Sequence, residues 1–175
     1  LMNNLHCGAA PSPLLSIALP YITPQGNVLD LACGKGRNGF VLSDLGFNVT
    51  FLDHDAQALA HIVQHDQRAV TIQADLESDS PYLITPQSFD AIIVCRYLHR
   101  PIMPMLVKAL KPNGVIIYET FTHQQASIGR PRNPKFLLND NELLEHFTAL
   151  TTHHYQQGFD HSQQSYLAQY IGQLI

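Results

Sequence analysis

Apolar positions along the chain switch repeatedly between a strand period and a helix period. Val28, Leu29 and Leu31 form a short strand-type run, followed by Gly34 and Gly36. Phe40, Val41, Leu42 and Leu45 then recur at helical spacing up to Gly46. Asn48–Leu52 alternates as a second strand, and Ala56, Leu59, Ala60, Ile62 and Val63 mark the next helix. Ala69–Ala74 reads as a third strand. Phe89–Cys95 is an apolar run broken only by Asp90, which points to a central parallel strand covered on both faces. Pro101–Leu110 predicts a helix, Lys111-Pro-Asn-Gly114 a turn, and Val115–Phe121 a fifth strand.

The flanks complete the pattern. Ser12 and Pro13 suit the N-cap and first residue of a short helix, Leu14–Leu19, ended by Pro20. Pro24-Gln-Gly26 turns the chain into the first strand. Residues 77–88 and 122–138 read as loops, the second long enough to fold over a site as a lid. Asn139 with Glu142 predicts a capping box for a helix to about Phe147. Leu150–Gln156 and Ser165–Leu174 read as two closing strands joined through Gly158. Strands alternating with helices predict an α/β domain with a mostly parallel sheet and helices on both faces. The expectation is one domain over residues 1–175, with 1–26 packing on the core as a helical segment.

Composition narrows the function classes. The net charge of −4 argues against a general nucleic-acid binder, which carries a basic face. The three cysteines, Cys7, Cys33 and Cys95, include no C-x-x-C pair, so neither a disulfide framework nor a metal site is expected. Residues 1–26 contain no Lys, Arg, Asp or Glu, and prolines interrupt their apolar run, unlike a signal peptide. No stretch approaches the ~20 apolar residues of a membrane span. A reducing cytoplasm is the expected setting, and the sequence leaves the oligomeric state open.

The chemistry concentrates at strand ends. Gly34, Gly36 and Gly39 satisfy G-x-G-x-x-G, the dinucleotide fingerprint. Asp30, directly before the turn, would repel a pyrophosphate but suits a cationic or hydroxyl-rich ligand. The second and third strands also end in acids, Asp53 and Asp75. In an open α/β sheet the ligand lies beyond the carboxyl ends of the strands. Sheet packing alone gives no reason for three acids there.

Asp30-x-Ala32-x-Gly34-x-Gly36 resembles motif I of the class I S-adenosylmethionine-dependent methyltransferases, with Ala32 where many members carry a first glycine. Leu110-Lys-Pro-Asn-Gly-Val-Ile-Ile117 resembles a helix-to-strand turn of the same family. Asp-Leu-Ala-Cys-Gly-Lys-Gly-Arg-Asn and the short length are most similar to the small bacterial tellurite-resistance-type members. The resemblance implies a Rossmann-like, seven-stranded sheet with a C-terminal antiparallel strand pair, and S-adenosylmethionine as cofactor. It implies Asp30 beside the methionine end, Asp53 on the ribose hydroxyls, and Asp75 with Leu76 at the adenine edge. Arg37 and Asn38 would shape the floor of the glycine turn, with Ala32, Cys33, Gly34, Gly36, His54 and Cys95 also around the cofactor.

The acceptor side is read from charge. Seven of the ten Lys and Arg fall within residues 96–135, where Glu119 is the only acid. Arg96, Arg100, Arg130 and Arg132 are therefore expected to meet a small, anionic acceptor, with Glu119 nearby. Arg130 and Arg132 would face one side of an extended segment. His99, in the exit loop of the fourth strand, is the expected acid/base residue, and Tyr97 its catalytic neighbour. No Asn-Pro-Pro-Tyr, Asp-Pro-Pro-Tyr or Pro-Cys motif appears, which argues against base methylation of nucleic acids. Two other readings stay open: a non-catalytic cofactor-binding subunit, and an NAD-dependent oxidoreductase using an acid near the second strand.

Overall fold

A computed structural model describes residues 10–175. Cys7 and the first part of the 1–26 segment lie outside the described residues. Strand β1 (Asn27–Leu31) leads through the glycine turn into α2 (Gly39–Asp44), after the short helix α1 (Leu14–Ala18). Then follow β2 (Asn48–Asp53), α3 (Ala56–His65), β3 (Val70–Gln73) and β4 (Phe89–Cys95). Helix α4 (Met103–Ala109), β5 (Leu110–Phe121), α5 (Glu142–His146), β6 (Thr151–Asp160) and β7 (Ser165–Gln173) complete the order. The seven strands form one sheet in the order β3-β2-β1-β4-β5-β7-β6. The first five run parallel, and β7 pairs antiparallel with both β5 and β6, the Rossmann-like arrangement expected.

The sheet is buried on both faces. Ala91, Ile92, Ile93 and Val94 of β4 are at most 1% exposed, with α1, α2 and α3 on one side and α4 and α5 on the other. Tyr118, Phe147 and Tyr170 fill the second face; Phe147 stacks on Tyr170 at 5.3 Å between centroids. Strand order reverses between β1 and β4, which opens a crevice at their carboxyl ends. Register sets Leu31 against Leu52 and Val94, and Cys95 against Glu119, so these ends share one edge.

Local chemistry explains the element ends. Ser12 Oγ accepts from the Leu14 N–H at 3.2 Å, as an N-cap should. Asp55 caps α3 by accepting from the Gln57 and Ala58 N–H groups. Glu142 supplies half of the expected capping box, accepting from the Asn139 N–H at 2.8 Å.

Two turns fall elsewhere than expected. Residues 111–114 bulge out within β5, between the Phe89–Leu110 and Ala91–Val115 pairings, with Asn113 at φ 65°. Gly158 does not end β6; it pairs with Leu167 inside the hairpin. The reversal comes at 161–164, where the Asp160 carboxylate accepts from Ser162 Oγ and the Gln163 N–H. This places the hairpin tip at the carboxyl edge of the parallel strands.

The 122–138 stretch is pinned. It holds two short 3-10 turns, a Thr122–Leu138 bridge, and the buried Gln125 side chain bonded to Arg130 O and the Tyr166 N–H. Arg100 braces its far end. The guanidinium donates to both Glu142 oxygens and to the carbonyls of Lys135 and Leu137. Burial pushes the Glu142 carboxyl up, but the hydrogen bonds from Arg100, the Asn139 N–H and His146 outweigh it and hold it at about 2. Arg100→Ala strands a buried carboxylate. It should cost about 2–3 kcal/mol in urea denaturation at pH 7.

Candidate active site

The glycine turn follows β1 directly. Ala32 sits at φ 52°, Gly34 at 53° and Gly36 at 82°, so three left-handed residues fold the chain tightly. At Gly34 an added Cβ would meet nothing within 4 Å, which leaves the backbone open to a ligand. At Gly36 it would press on the Phe40 and Phe51 rings. The Cys33 N–H continues the ladder to Leu52 O, and the Phe40 N–H closes on Gly36 O. Cys33 itself is buried against this turn.

Asp53, at the end of β2, is tied to the glycine turn. Its Oδ2 accepts from the Gly34 N–H at 2.8 Å and its Oδ1 from the Asp55 N–H at 2.9 Å. The His54 ring stands 3.1 Å from Oδ1. Each carboxylate oxygen keeps a further lone pair. A cleft of about 250 Å³ opens beside it, walled by Ala32, Leu52, Ala74 and Leu76 and by His54, Asp75, Glu77 and Tyr97. One side is an apolar slot, the other polar. Asp75 is exposed and holds its loop by accepting from the Glu77 N–H. The Tyr97 hydroxyl donates to Glu77 at 2.9 Å across the cleft rim.

Asp30 differs from its expected role. It is 2% exposed and accepts from the Gly39 N–H at 2.9 Å, bracing the start of α2 beneath the turn. It lines no wall of the cleft. Burial raises its pKa to about 7, against the lowering effect of the Gly39 N–H and Arg37. In this structure its visible task is to hold the start of α2 rather than to wall the cleft.

A second polar cluster lies across β4 and β5. Arg37 donates to Cys95 Sγ at 3.0 Å and to Ala10 O at 2.7 Å, and Asn38 accepts from the Ser12 N–H at 2.8 Å. Burial, with Glu119 next, pushes the Cys95 thiol up to about 12. Glu119 is 1% exposed, and its Oε2 accepts from Ser12 Oγ, Gln163 Nε2 and Gln169 Nε2. It is an internal hub with no face left for an acceptor. Gln163 and Gln169 carried no sequence signal, because only the hairpin's register brings them to this edge, and Ser12 was legible only as a helix cap.

Four other expected residues lie away from the Asp53 cleft. His99 lines an apolar groove with Leu83, Pro101 and Met105; this groove meets the Asp53 cleft at Leu76, but His99 itself walls neither that cleft nor the Arg96 cavity. Arg100 is a brace, its donors consumed by Glu142 and two carbonyls. Arg130 and Arg132 are exposed, and neither forms an ion pair among the described residues. Arg96 stays in the site, at φ 59° where β4 ends.

Sheet order, glycine turn and strand-end acids together define the class I S-adenosylmethionine-dependent methyltransferase fold. The chain belongs to the tellurite resistance protein TehB family, whose model matches residues 15–158. It is similar to the probable S-adenosyl-L-methionine-dependent methyltransferase TehB of Haemophilus influenzae. Identity is 28% over 126 residues, covering 69% of this chain and 44% of that protein. A putative methyltransferase, YqeM of Bacillus subtilis, is 27% identical over 54% of this chain and 42% of its own length. The chain thus spans less than half the length of the curated relatives it matches. Among solved structures, TehB from Haemophilus influenzae superposes with TM-score 0.79 at 20% identity, covering 98% of this chain and 64% of that one. An S-adenosylmethionine-dependent methyltransferase from Mesorhizobium loti gives TM-score 0.76 at 18% identity, covering 95% and 98%.

Two outcomes follow from the turn. Ala32→Gly relieves a left-handed alanine and should raise unfolding stability by about 1 kcal/mol, measured in urea. Asp30 has a folded pKa of about 7 against 3.8 for the free group, so the folded state holds the extra proton between those values. Its contribution is therefore full below pH 4 and is lost as pH rises to 7. Asp30→Asn should remove that loss, so its stability advantage over the parent should grow by about 4 kcal/mol from pH 4 to pH 8.

Proposed function

We propose that this chain binds S-adenosylmethionine in the Asp53 cleft and transfers its methyl group to a small acceptor carrying negative charge. The carrying observation is Asp53, one carboxylate that fixes the Gly34 turn and still offers lone pairs to a diol at the mouth of an apolar slot. Ribose hydroxyls suit those lone pairs, and a flat base suits Ala32, Leu52, Ala74 and Leu76. The open space over Gly34 leaves room for the rest of the cofactor. The names of the TehB relatives point the same way.

The bound cofactor would supply an activated methyl group on a sulfonium, a strong electrophile in its own right. The protein's task is then alignment, which can account for about 7–11 kcal/mol of barrier lowering. Asp53 orients the cofactor, and Tyr97 walls the site and keeps water from the slot. Tyr97 is a poor base: burial, with Glu77 next, pushes its pKa above the ordinary phenol value. The acceptor therefore arrives with its own lone pair. Arg96, at the end of β4, supplies the positive charge that favours an anion.

Calorimetry with S-adenosylhomocysteine and with NAD tests the cofactor. The adenosyl ligand should bind and NAD should not. Asp53→Ala removes charge-assisted hydrogen bonds of about 1.5–3 kcal/mol, so affinity should fall roughly 10- to 100-fold. Labelled methyl should pass from the cofactor to a component of a metabolite extract. Binding without any transfer would favour a cofactor-binding subunit instead.

A further inference from the structure

A second cavity, of about 360 Å³, lies between the ends of β4 and β5 and the 129–137 loop. Arg96, Tyr97, Leu98, Thr120, Phe121, Pro131 and Phe136 wall it, and Arg96 is the only charged residue of its lining. Tyr97 also walls the Asp53 cleft, so the two cavities meet at one ring. Its size is at the small end of ligand pockets, which run from about 300 Å³ upward.

Arg96 is an unusual resident. Its guanidinium stacks on the Phe121 ring at 4.5 Å from the centroid, and Nη2 donates to Gln163 Oε1 at 2.7 Å. Nε is buried with no acceptor. Among the described residues no carboxylate pairs with it, whereas Arg100 and Lys111 have Glu142 and Asp90. A cation in an apolar enclosure without a counter-charge is costly, and an anionic ligand offsets that cost. Its left-handed backbone holds it at the strand end, where strain commonly marks a site.

We propose that this cavity is the acceptor subsite, and that it takes monocarboxylates with a flat, apolar body. The proposal rests on the methyltransferase reading and names its substrate class. The carboxylate meets the Arg96 guanidinium, and the body lies among Leu98, Phe121, Pro131 and Phe136. The opposite end of the molecule is left facing the Tyr97 boundary. A bare oxyanion would need donors on several sides; Arg96 is the only cation of these walls, and their other polar side chains are the Thr120 hydroxyl and the Tyr97 hydroxyl, which already donates to Glu77.

The test uses the full chain saturated with S-adenosylhomocysteine, titrated with benzoate, benzamide and sulfate and followed by ligand-observed NMR. Benzoate should bind at least about tenfold more tightly than its neutral isostere benzamide, the loss expected for one charge-assisted contact. Sulfate should be weaker than benzoate. Arg96→Gln should lower benzoate affinity by a similar factor while S-adenosylhomocysteine affinity stays within about twofold. Phe136→Ala, on the exposed loop, should weaken benzoate several-fold without touching the charge, and it stands in if Arg96→Gln does not fold. Equal binding of benzoate and benzamide, or benzoate binding indifferent to Arg96, overturns the proposal. Sulfate binding as tightly as benzoate overturns the apolar body. Failure of S-adenosylhomocysteine to bind, with Arg96-dependent benzoate binding intact, sinks the cofactor reading and leaves the carboxylate pocket standing.

Discussion

One carboxylate ties the cofactor edge together. Asp53 accepts a backbone N–H from the turn after β1 and another from the start of α3, so two loops on different strands share one fixed point. Hydrogen bonds to a charged acceptor are about twice as strong as neutral ones. Asp30 performs the matching task from below, holding the first N–H of α2. The open space over Gly34 exists because these two acids leave the turn nowhere else to go.

The acceptor edge is built on another acid. Glu119 draws Ser12, Gln163 and Gln169 onto one buried oxygen, joining the N-terminal segment, β5 and the closing hairpin. Gln163 carries that connection onward to Arg96. A buried acid is tolerated only when its lone pairs are met, and here the donors come from the two ends of the described chain, the N-terminal segment and the closing hairpin. Arg96 is thus aimed by the same network that hides Glu119.

Much of this was legible in the residues. The hydrophobic periods locate the strands well: Phe89–Cys95 matches residue for residue, because a fully buried parallel strand has an apolar pattern with sharp ends. The glycine turn and Asp53 were visible because special backbone geometry and strand-end charge both leave a signature. The arginines misled for a physical reason. Arg96 and Arg100 lie four residues apart in one basic segment, yet only the fold shows that Glu142, from a helix some forty residues later, claims Arg100. Asp30 was read as facing the ligand, whereas its carboxylate lies under the turn and accepts from the Gly39 N–H. The hairpin tip was displaced because Gly158 looks like a turn residue, while the Asp160 side chain makes the turn farther on.

The Glu119 hub also bears on how the molecule comes into being. Ser12 leaves the ribosome well before Gln169, which emerges only after nearly all of the sheet's strands have been made. Until β7 inserts between β5 and β6, Glu119 lacks two of its donors and Arg96 lacks its Gln163 partner. A nascent chain can assemble the Asp53 turn from contiguous residues while the wall across from it is still missing. The two halves of the site therefore mature at different moments of synthesis, the cofactor half from local contacts and the acceptor half from long-range pairing, which forms more slowly.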